Sequence, residues 1–313
     1  MTDITAMGRP AEPDWSSTVT TEELTAFRDA ENRVRASAAA RVITGEPDPG
    51  ATIGWQKAAL PGREVPVRVY RPSAAGPLPL VIHVHGGGWV GTAAQSDWVN
   101  SHLAAHLPAL VVSVEHRLLD WETPLPAAAD DGWDVLRHVV EHAETWGVDP
   151  SRVALFGESC GGLISALAAV RARREGLPLR AQVLVNPAVD VTSTALTYDS
   201  TARFSQTPTL TLPQLRFFQR VAVPEGGDAR ALSPLYADDL GGLAPALVVV
   251  PTHDPLADHG RRYAERLQAA GTPARLSEYP EAGHAFLSMP GMAPQATPAR
   301  AEILAFLREH LGA

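Results

Sequence analysis

Four stretches of the chain carry residues whose types and positions could do chemistry. In "RVALFGESCGGL" (152–163), Ser159 follows an apolar run, and Gly157 and Gly161 lack the β-carbons that would collide in a sharp bend. "HVHGGGWV" (83–90) places Gly86, Gly87 and Gly88 after another apolar run, where bare backbone amides can approach an oxygen atom. "VVVPTHDPLADHG" (248–260) places Asp254 just past a third run. "LSEYPEAGHAFL" (276–287) places His284 five residues after Tyr279, which the pattern reads as the close of the final strand. Serine, histidine and a carboxylate are the types from which covalent nucleophilic catalysis is assembled, provided the fold brings them together. His284 has rivals in His259 and His116, but it alone lies on a loop after the last strand.

The elements that must position these residues are legible from periodicity. Residues 153–156 are too few for a helix and read as a buried strand, while Leu163, Ala166, Leu167 and Val170 recur at helical spacing, so Ser159 stands at a strand-to-helix bend. Residues 80–84 and 109–117 are near-continuous apolar runs, the mark of strands covered on both faces. "EVPVRVYRP" alternates, with Val65, Val67 and Val69 on one face. Helices are expected over 127–145, 160–174, 256–270 and 298–311, and strands at "AQVLVNP", "PALVVVP" and "ARLSEYP". Helices alternating with buried strands imply an α/β fold with a mostly parallel sheet and helices on both faces. In such sheets ligands bind beyond the carboxyl ends of the strands, where all four stretches lie.

Two regions break this rhythm. Residues 1–19 read as a loose arm, followed by a helix that opens on Thr20 and Glu23 at capping-box spacing, with Leu24, Phe27, Val34 and Ala38 as its apolar stripe. Residues 44–62, rich in glycine and proline, read as a linker. Residues 191–230 lack a clear buried strand and read as an insertion that packs with the N-terminal helix. The expected division is therefore a helical cap from 1–50 and 191–230, and a catalytic domain from 51–190 and 231–313.

Composition narrows the partners. The 313 residues are 45% hydrophobic and 19% charged, ordinary globular content, and the net charge of −9 disfavours a nucleic-acid or anionic-membrane partner. The single cysteine, Cys160, excludes an internal disulfide and a cysteine-based zinc cluster. No run approaches the length of a membrane span, and the opening "MTDITAMGRPAEPDWSS" lacks a cationic start with an apolar core, so a cytoplasmic protein without stable membrane insertion is expected.

Taken together, "HGGGW", "GESCGG", "DPLADHG" and "GHAFL" resemble the hormone-sensitive-lipase-like carboxylesterases of the α/β-hydrolase superfamily, over roughly residues 60–313. The resemblance implies an α/β-hydrolase fold with a helical cap, Ser159 as nucleophile, His284 as base and Asp254 as its orienting acid. It maps the oxyanion hole to the amides of Gly87, Gly88 and Cys160, and makes Trp89 and Glu158 candidate substrate-binding residues. Phe204, Phe217 and Phe218 are candidates for the pocket or cap. The expected partner is a small-molecule ester of short to medium acyl chain, with no cofactor and no metal, and the sequence leaves room for a homodimer. The chain departs from the family pattern at "EHRLLDWETPLPA", where His116 takes a tyrosine position, at Glu158 and Cys160, and at Ala285, which replaces glycine.

Other readings compete. A non-catalytic ligand-binding protein can share this fold, but such a receptor can lose its nucleophile or base, and both stand here. "HVVEH" (138–142) matches a zinc-hydrolase pattern. Trp133, Leu136 and Val140 would form the buried stripe of its helix, which puts Asp131, Asp134, His138 and His142 on the solvated side and weakens that reading. "HVH" (83–85) lacks a third ligand, and nothing in the sequence specifies the peptide clamp of a peptidase.

Overall fold

The protein is described by a computed structural model covering residues 11–313; residues 1–10, part of the expected arm and cap, lie outside the described residues. In chain order the elements are α1 (Thr21–Arg35), α2 (Arg41–Thr44), β1 (Ala51–Leu60), β2 (Arg63–Pro72), β3 (Leu78–Val84), α3 (Asp97–His106), β4 (Leu110–Val114), α4 (Leu125–Glu141), α5 (Ala143–Trp146), β5 (Val148–Glu158), α6 (Cys160–Glu175) and β6 (Ala181–Val185). There follow α7 (Asp199–Arg203), the short strands β7 (Gln206–Thr207) and β8 (Leu210–Thr211), α8 (Leu212–Ala222), β9 (Ala246–His253), α9 (Ala257–Ala269), β10 (Ala274–Gly283) and α10 (Ala296–Leu311).

An eight-stranded sheet runs in the order β1-β2-β4-β3-β5-β6-β9-β10. From β4 to β10 every pairing is parallel, and β2 is antiparallel to both of its neighbours. Alternation along the central strands sorts the core into two faces. Leu80, Ile82, Val84, Val153 and Leu155 pack with α4 and α6, whereas Val81, Ala154, Phe156, Val183 and Val185 pack with α3 and α10. Burial on both faces explains why these strands read as unbroken apolar runs.

Several expectations are corrected. Residues 51–60 are not linker but β1, an edge strand whose outward residues are exposed; with only Ala51 and Ala58 buried, it has no apolar pattern to read. Residues 11–19 are not a loose arm throughout, since Trp15 is buried against Phe27, Phe217 and Phe218 at centroid distances of 5.6, 5.3 and 5.5 Å. Such aromatic pairs add roughly 0.5–1.5 kcal/mol beyond burial and tie the N-terminal segment to α8 of the insertion. Helix α1 carries the capping box expected at Thr20 and Glu23. On α4, Asp131 is buried rather than solvated, because it bridges Arg63 (3.0 Å) and Arg117 (2.9 Å), and Val139 rather than Val140 completes the buried stripe. Helix α3 occupies a stretch in which the sequence had suggested no element.

Strand β10 also continues past Tyr279. A register irregularity between Tyr279 and Gly283 carries it on until Gly283 pairs with His253. His284 therefore follows its strand directly, beside the residue after which Asp254 begins, and Pro280 within the run is what hid this from the sequence.

Candidate active site

Four strand ends meet at one point of the sheet. Strand β5 delivers Ser159 in a conformation rare for any residue but glycine, φ 53° and ψ −117°. Neighbouring backbone holds this strained bend: the Ser159 amide donates to Val185 O (2.9 Å), and its carbonyl accepts from Leu163 (3.2 Å) and Ala188 (3.1 Å). The bend is possible only because its flanks are bare. A β-carbon on Gly161 would lie 2.1 Å from Val84 O and 2.5 Å from His85 O, so α6 sits flush on the end of β3. Gly161→Ala is accordingly expected to destabilise the protein by about 1–3 kcal/mol and to depress activity with it. Urea denaturation of a variant as stable as the parent would show that this close approach is dispensable.

Ser159 Oγ lies 2.9 Å from His284 Nε2, and His284 Nδ1 lies 2.8 Å from Asp254 Oδ2. All three are buried, Asp254 completely. The second oxygen of Asp254 accepts the amide of Leu256 (2.8 Å), so the carboxylate has one oxygen left for the imidazole. Thr209 Oγ1 donates to the main-chain oxygen of His284 (3.1 Å), a contact supplied by the 191–230 stretch. Neither rival histidine joins the group. His259 is buried beside Tyr198, and burial pulls its pKa down to about 4 against the pull of nearby Asp190. His116 stacks on His85 at 4.3 Å, and burial lowers both.

The glycine loop after β3 folds over Ser159, with Gly86 packed so closely on the end of β5 that a β-carbon would lie 2.9 Å from Glu158 O. Gly87 (φ 97°) and Gly88 (φ 62°) adopt left-handed conformations that other residues disfavour, and among the described residues their amides donate to no backbone carbonyl. The Cys160 amide, first in α6, is one of the donors a helix leaves without an internal acceptor.

Residues outside the motifs hold this loop in place. From α1, Arg28 donates to Trp89 O (3.0 Å) and Asn32 donates to Val90 O (2.8 Å). Arg28 is buried, and burial lowers its pKa to about 10 against the opposing charge of Asp120. A charged residue four positions after Leu24, on the buried stripe of α1, was the available signal for it. Glu115 Oε2 accepts the amide of Ala93 (2.8 Å) at the loop's end.

Burial raises the Glu115 pKa to about 7, despite the Ala93 amide and Arg68, which favour its charge. The folded protein thus keeps a proton that the unfolded chain releases near pH 4.5, and stability falls as pH rises from there to about 7. Glu115→Gln removes this loss. The variant is expected to gain on the order of 2 kcal/mol over the parent at pH 8 and almost nothing at pH 4. Equal differences at both pH values in chemical denaturation would refute this account.

The Cys160 side chain turns toward the end of β3. Its Sγ lies 4.0 Å from His85 O, under the glycine loop. Burial pushes the thiol up to about 11, although the amides of Trp89, Gly161 and Gly88 oppose the shift. The native protein should therefore not react with Ellman's reagent until it unfolds; rapid release of one equivalent of thionitrobenzoate under native conditions would contradict this.

Two cavities lie near this group of side chains. The larger, about 180 Å³, is lined by Gly87, Gly88, His284, Phe27, Leu210 and Met289. The smaller, about 70 Å³, is lined by Trp89, Leu163, Phe218, Leu256 and His259. Phe217 lies in the core beside Trp15, and Phe204 stacks near His253 at 5.3 Å. Glu158 lines neither cavity, since its carboxylate accepts from Ser96 (3.3 Å) and Ser288 (2.8 Å) and lies 3.4 Å from His83. His138 and His142 of "HVVEH" lie with rings 4.4 Å apart, and among the described residues no third metal-ligating side chain joins them.

Comparison with known proteins agrees with this architecture. The profile of a family described as alpha/beta hydrolase fold matches residues 81–288. The carboxylesterase NlhH of Mycobacterium tuberculosis is 39% identical over 258 residues, 80% of each chain. An ethyl acetate hydrolase of Pseudomonas putida is 32% identical, again over 80% of each. Among solved structures, an alpha/beta hydrolase from the metagenome of Lake Arreo superposes with a TM-score of 0.85 at 32% identity, covering 99% of this chain and 96% of that one. A hyperthermophilic esterase from Pyrobaculum calidifontis gives 0.82 at 31% identity, covering 91% and 93%. By its fold, by the motifs at its strand ends and by these relatives, the chain belongs to the hormone-sensitive-lipase-like carboxylesterase family of α/β hydrolases.

Proposed function

We propose that the protein hydrolyses small carboxylic esters of short to medium acyl chain through an acyl-serine on Ser159. The observation that carries this reading is the unbroken relay from Ser159 Oγ to His284 Nε2 (2.9 Å) and from His284 Nδ1 to Asp254 (2.8 Å) beneath the glycine loop. His284 takes the hydroxyl proton as Ser159 Oγ bonds to the ester carbonyl carbon, and Asp254 holds the ring in the tautomer that leaves Nε2 free to accept. The carbonyl oxygen becomes an oxyanion facing the amides of Gly87, Gly88 and Cys160; a single donor of this kind is typically worth about 2.7–4 kcal/mol. His284 returns the proton to the departing alcohol. It then takes one from the water that attacks the acyl carbon, and passes it to Ser159 Oγ as the acyl–Oγ bond breaks and the acid leaves.

Cavity size supports the chain-length reading. A cavity of about 150 Å³ holds a benzene molecule, so the roughly 180 Å³ beside His284 suits a group of six or so carbons. In the same proposal the segment from 11 to 50 and residues 191–230 form the cap, as the contact between Trp15 and Phe217 and the bond from Thr209 to His284 suggest. Trp89, on the smaller cavity, is proposed to contact substrate. Glu158 acts behind the nucleophile, through Ser96 and Ser288. Among the described residues no helix is long and apolar enough to cross a membrane; a cytoplasmic setting and a homodimer complete the proposal, to be read by cell fractionation and light scattering.

The test is a p-nitrophenyl ester panel of increasing acyl length, with an alkyl phosphonate as inhibitor. Turnover falling beyond medium chains, and a phosphonyl adduct mapped to Ser159 by mass spectrometry, are expected. Full inhibition with Ser159 unlabelled, or no ester turnover at all, would overturn the reading.

A further inference from the structure

Away from the triad, three metal-ligating side chains converge between α3 and the segment that leads from α2 into β1. His102 and His106 lie one turn apart on α3, with ring centroids 4.1 Å from each other. Asp48 Oδ2 is 3.1 Å from His102 Nδ1 and 2.9 Å from His106 Nε2, and the three donor atoms all lie within 4.8 Å of one another. We propose that Asp48, His102 and His106 bind one divalent transition-metal cation of the zinc type, which clamps the 45–50 segment to α3.

The donor set suits that class of ion. Imidazole nitrogens and one carboxylate are ligands for zinc, nickel and copper, whereas calcium and magnesium require mostly oxygen. Ligands at zinc bond lengths in a tetrahedral arrangement stand about 3.3–3.5 Å apart. The two Asp48 contacts therefore need to open by only a few tenths of an ångström, while the two imidazole nitrogens, within 4.8 Å of each other, draw in on the same ion, with water completing the coordination. In neutral imidazoles the ring protons facing the carboxylate move to the opposite nitrogens, so the change is tautomeric.

The carboxylate is already oriented. Asp48 Oδ1 accepts the Gly50 amide (2.9 Å), and the Asp48 amide donates to Ser101 Oγ (2.8 Å), a second layer of support of the kind that fixes metal ligands. Burial opposes the charge on Asp48, but the Gly50 amide and the two imidazoles outweigh it and hold the carboxyl below its ordinary value. Arg300 repels a cation, so the site binds more weakly than a structural zinc cage.

A contrast within the molecule sharpens the inference. His138 and His142 on α4 have the same helical spacing, with rings 4.4 Å apart, but among the described residues no carboxylate completes them. Helical spacing alone is thus not what distinguishes the site; Asp48 is. The clamp has a structural consequence too, because Ala40, Ile43 and Thr44, just before the clamped segment, line the larger cavity.

The experiment titrates zinc chloride into chelator-treated protein by calorimetry and records Tm with and without the ion. One ion per chain is expected, with a rise in Tm. His106→Ala and Asp48→Asn are each expected to weaken binding by about tenfold or more and to abolish the rise in Tm. His142→Ala is expected to behave as the parent. A far-ultraviolet circular dichroism spectrum and a metal-free Tm matching those of the parent serve as the control for folding of each variant. No saturable binding by the parent at millimolar zinc, binding that survives both substitutions, or loss of binding in His142→Ala would each overturn the proposal. None of these outcomes depends on the ester reading.

Discussion

Ser159→Ala is expected to lower kcat on a short p-nitrophenyl ester by about a million-fold, with the fold unchanged. The substitution removes one oxygen and nothing else. The strained backbone at φ 53° and the bonds of Ser159 N to Val185 O and of Leu163 and Ala188 to Ser159 O involve only main-chain atoms, which alanine retains. The amides of the glycine loop also stay, so the residual rate should exceed that in water, as it does when other serine hydrolases lose a triad member. The triad acts as a unit, so a Ser159→Ala/His284→Ala double variant should be scarcely slower than either single one. Stopped-flow and long-time assays on purified protein, with circular dichroism as control, measure all three. Turnover within a hundredfold of the parent in Ser159→Ala would place the nucleophile elsewhere.

The second large effect is expected from Asp254→Asn, a loss in kcat of about ten-thousand-fold. The direction follows from the two oxygens of Asp254. One accepts the Leu256 amide and must remain an oxygen, so the new NH2 group falls where Oδ2 now meets His284 Nδ1 at 2.8 Å. Facing a donor, Nδ1 must accept, which moves the ring proton to Nε2, the atom that needs to be empty to receive the Ser159 proton. The variant keeps all the atoms of its packing and should fold normally. A kcat within tenfold of the parent would mean that Asp254 only braces the turn before α9, through its bond to Leu256 N.

The residues proposed to react were visible early because their constraints are local. A nucleophile at a strand-to-helix bend needs Gly157 and Gly161 close in sequence, and an amide cradle needs consecutive glycines; both leave a short signature wherever the rest of the chain goes. Buried parallel strands are equally legible, since water is excluded from both faces and every position must be apolar. Edge strands give no such sign, which is why β1 was read as linker and β10 was ended at Tyr279 although its bulge continues to Gly283.

Other features exist only because distant segments meet. Nothing in the sequence says what Glu115 holds, and the place of Arg28 on the buried stripe of α1 marks it as unusual without naming its partner, yet one holds the Ala93 amide and the other Trp89 O. Thr209 reaches His284 across the insertion. Asp48 lies in a proline- and glycine-rich stretch with no chemical pattern of its own until α3 brings His102 and His106 to it. The amino-acid order alone determined the α/β sheet, the identity of the nucleophile's bend and the family likeness, because these rest on spacing within a few residues. Which charges are buried, what shapes the cavities and which loops share a carboxylate were decided by tertiary packing, because those contacts join residues dozens of positions apart and leave no trace in local periodicity.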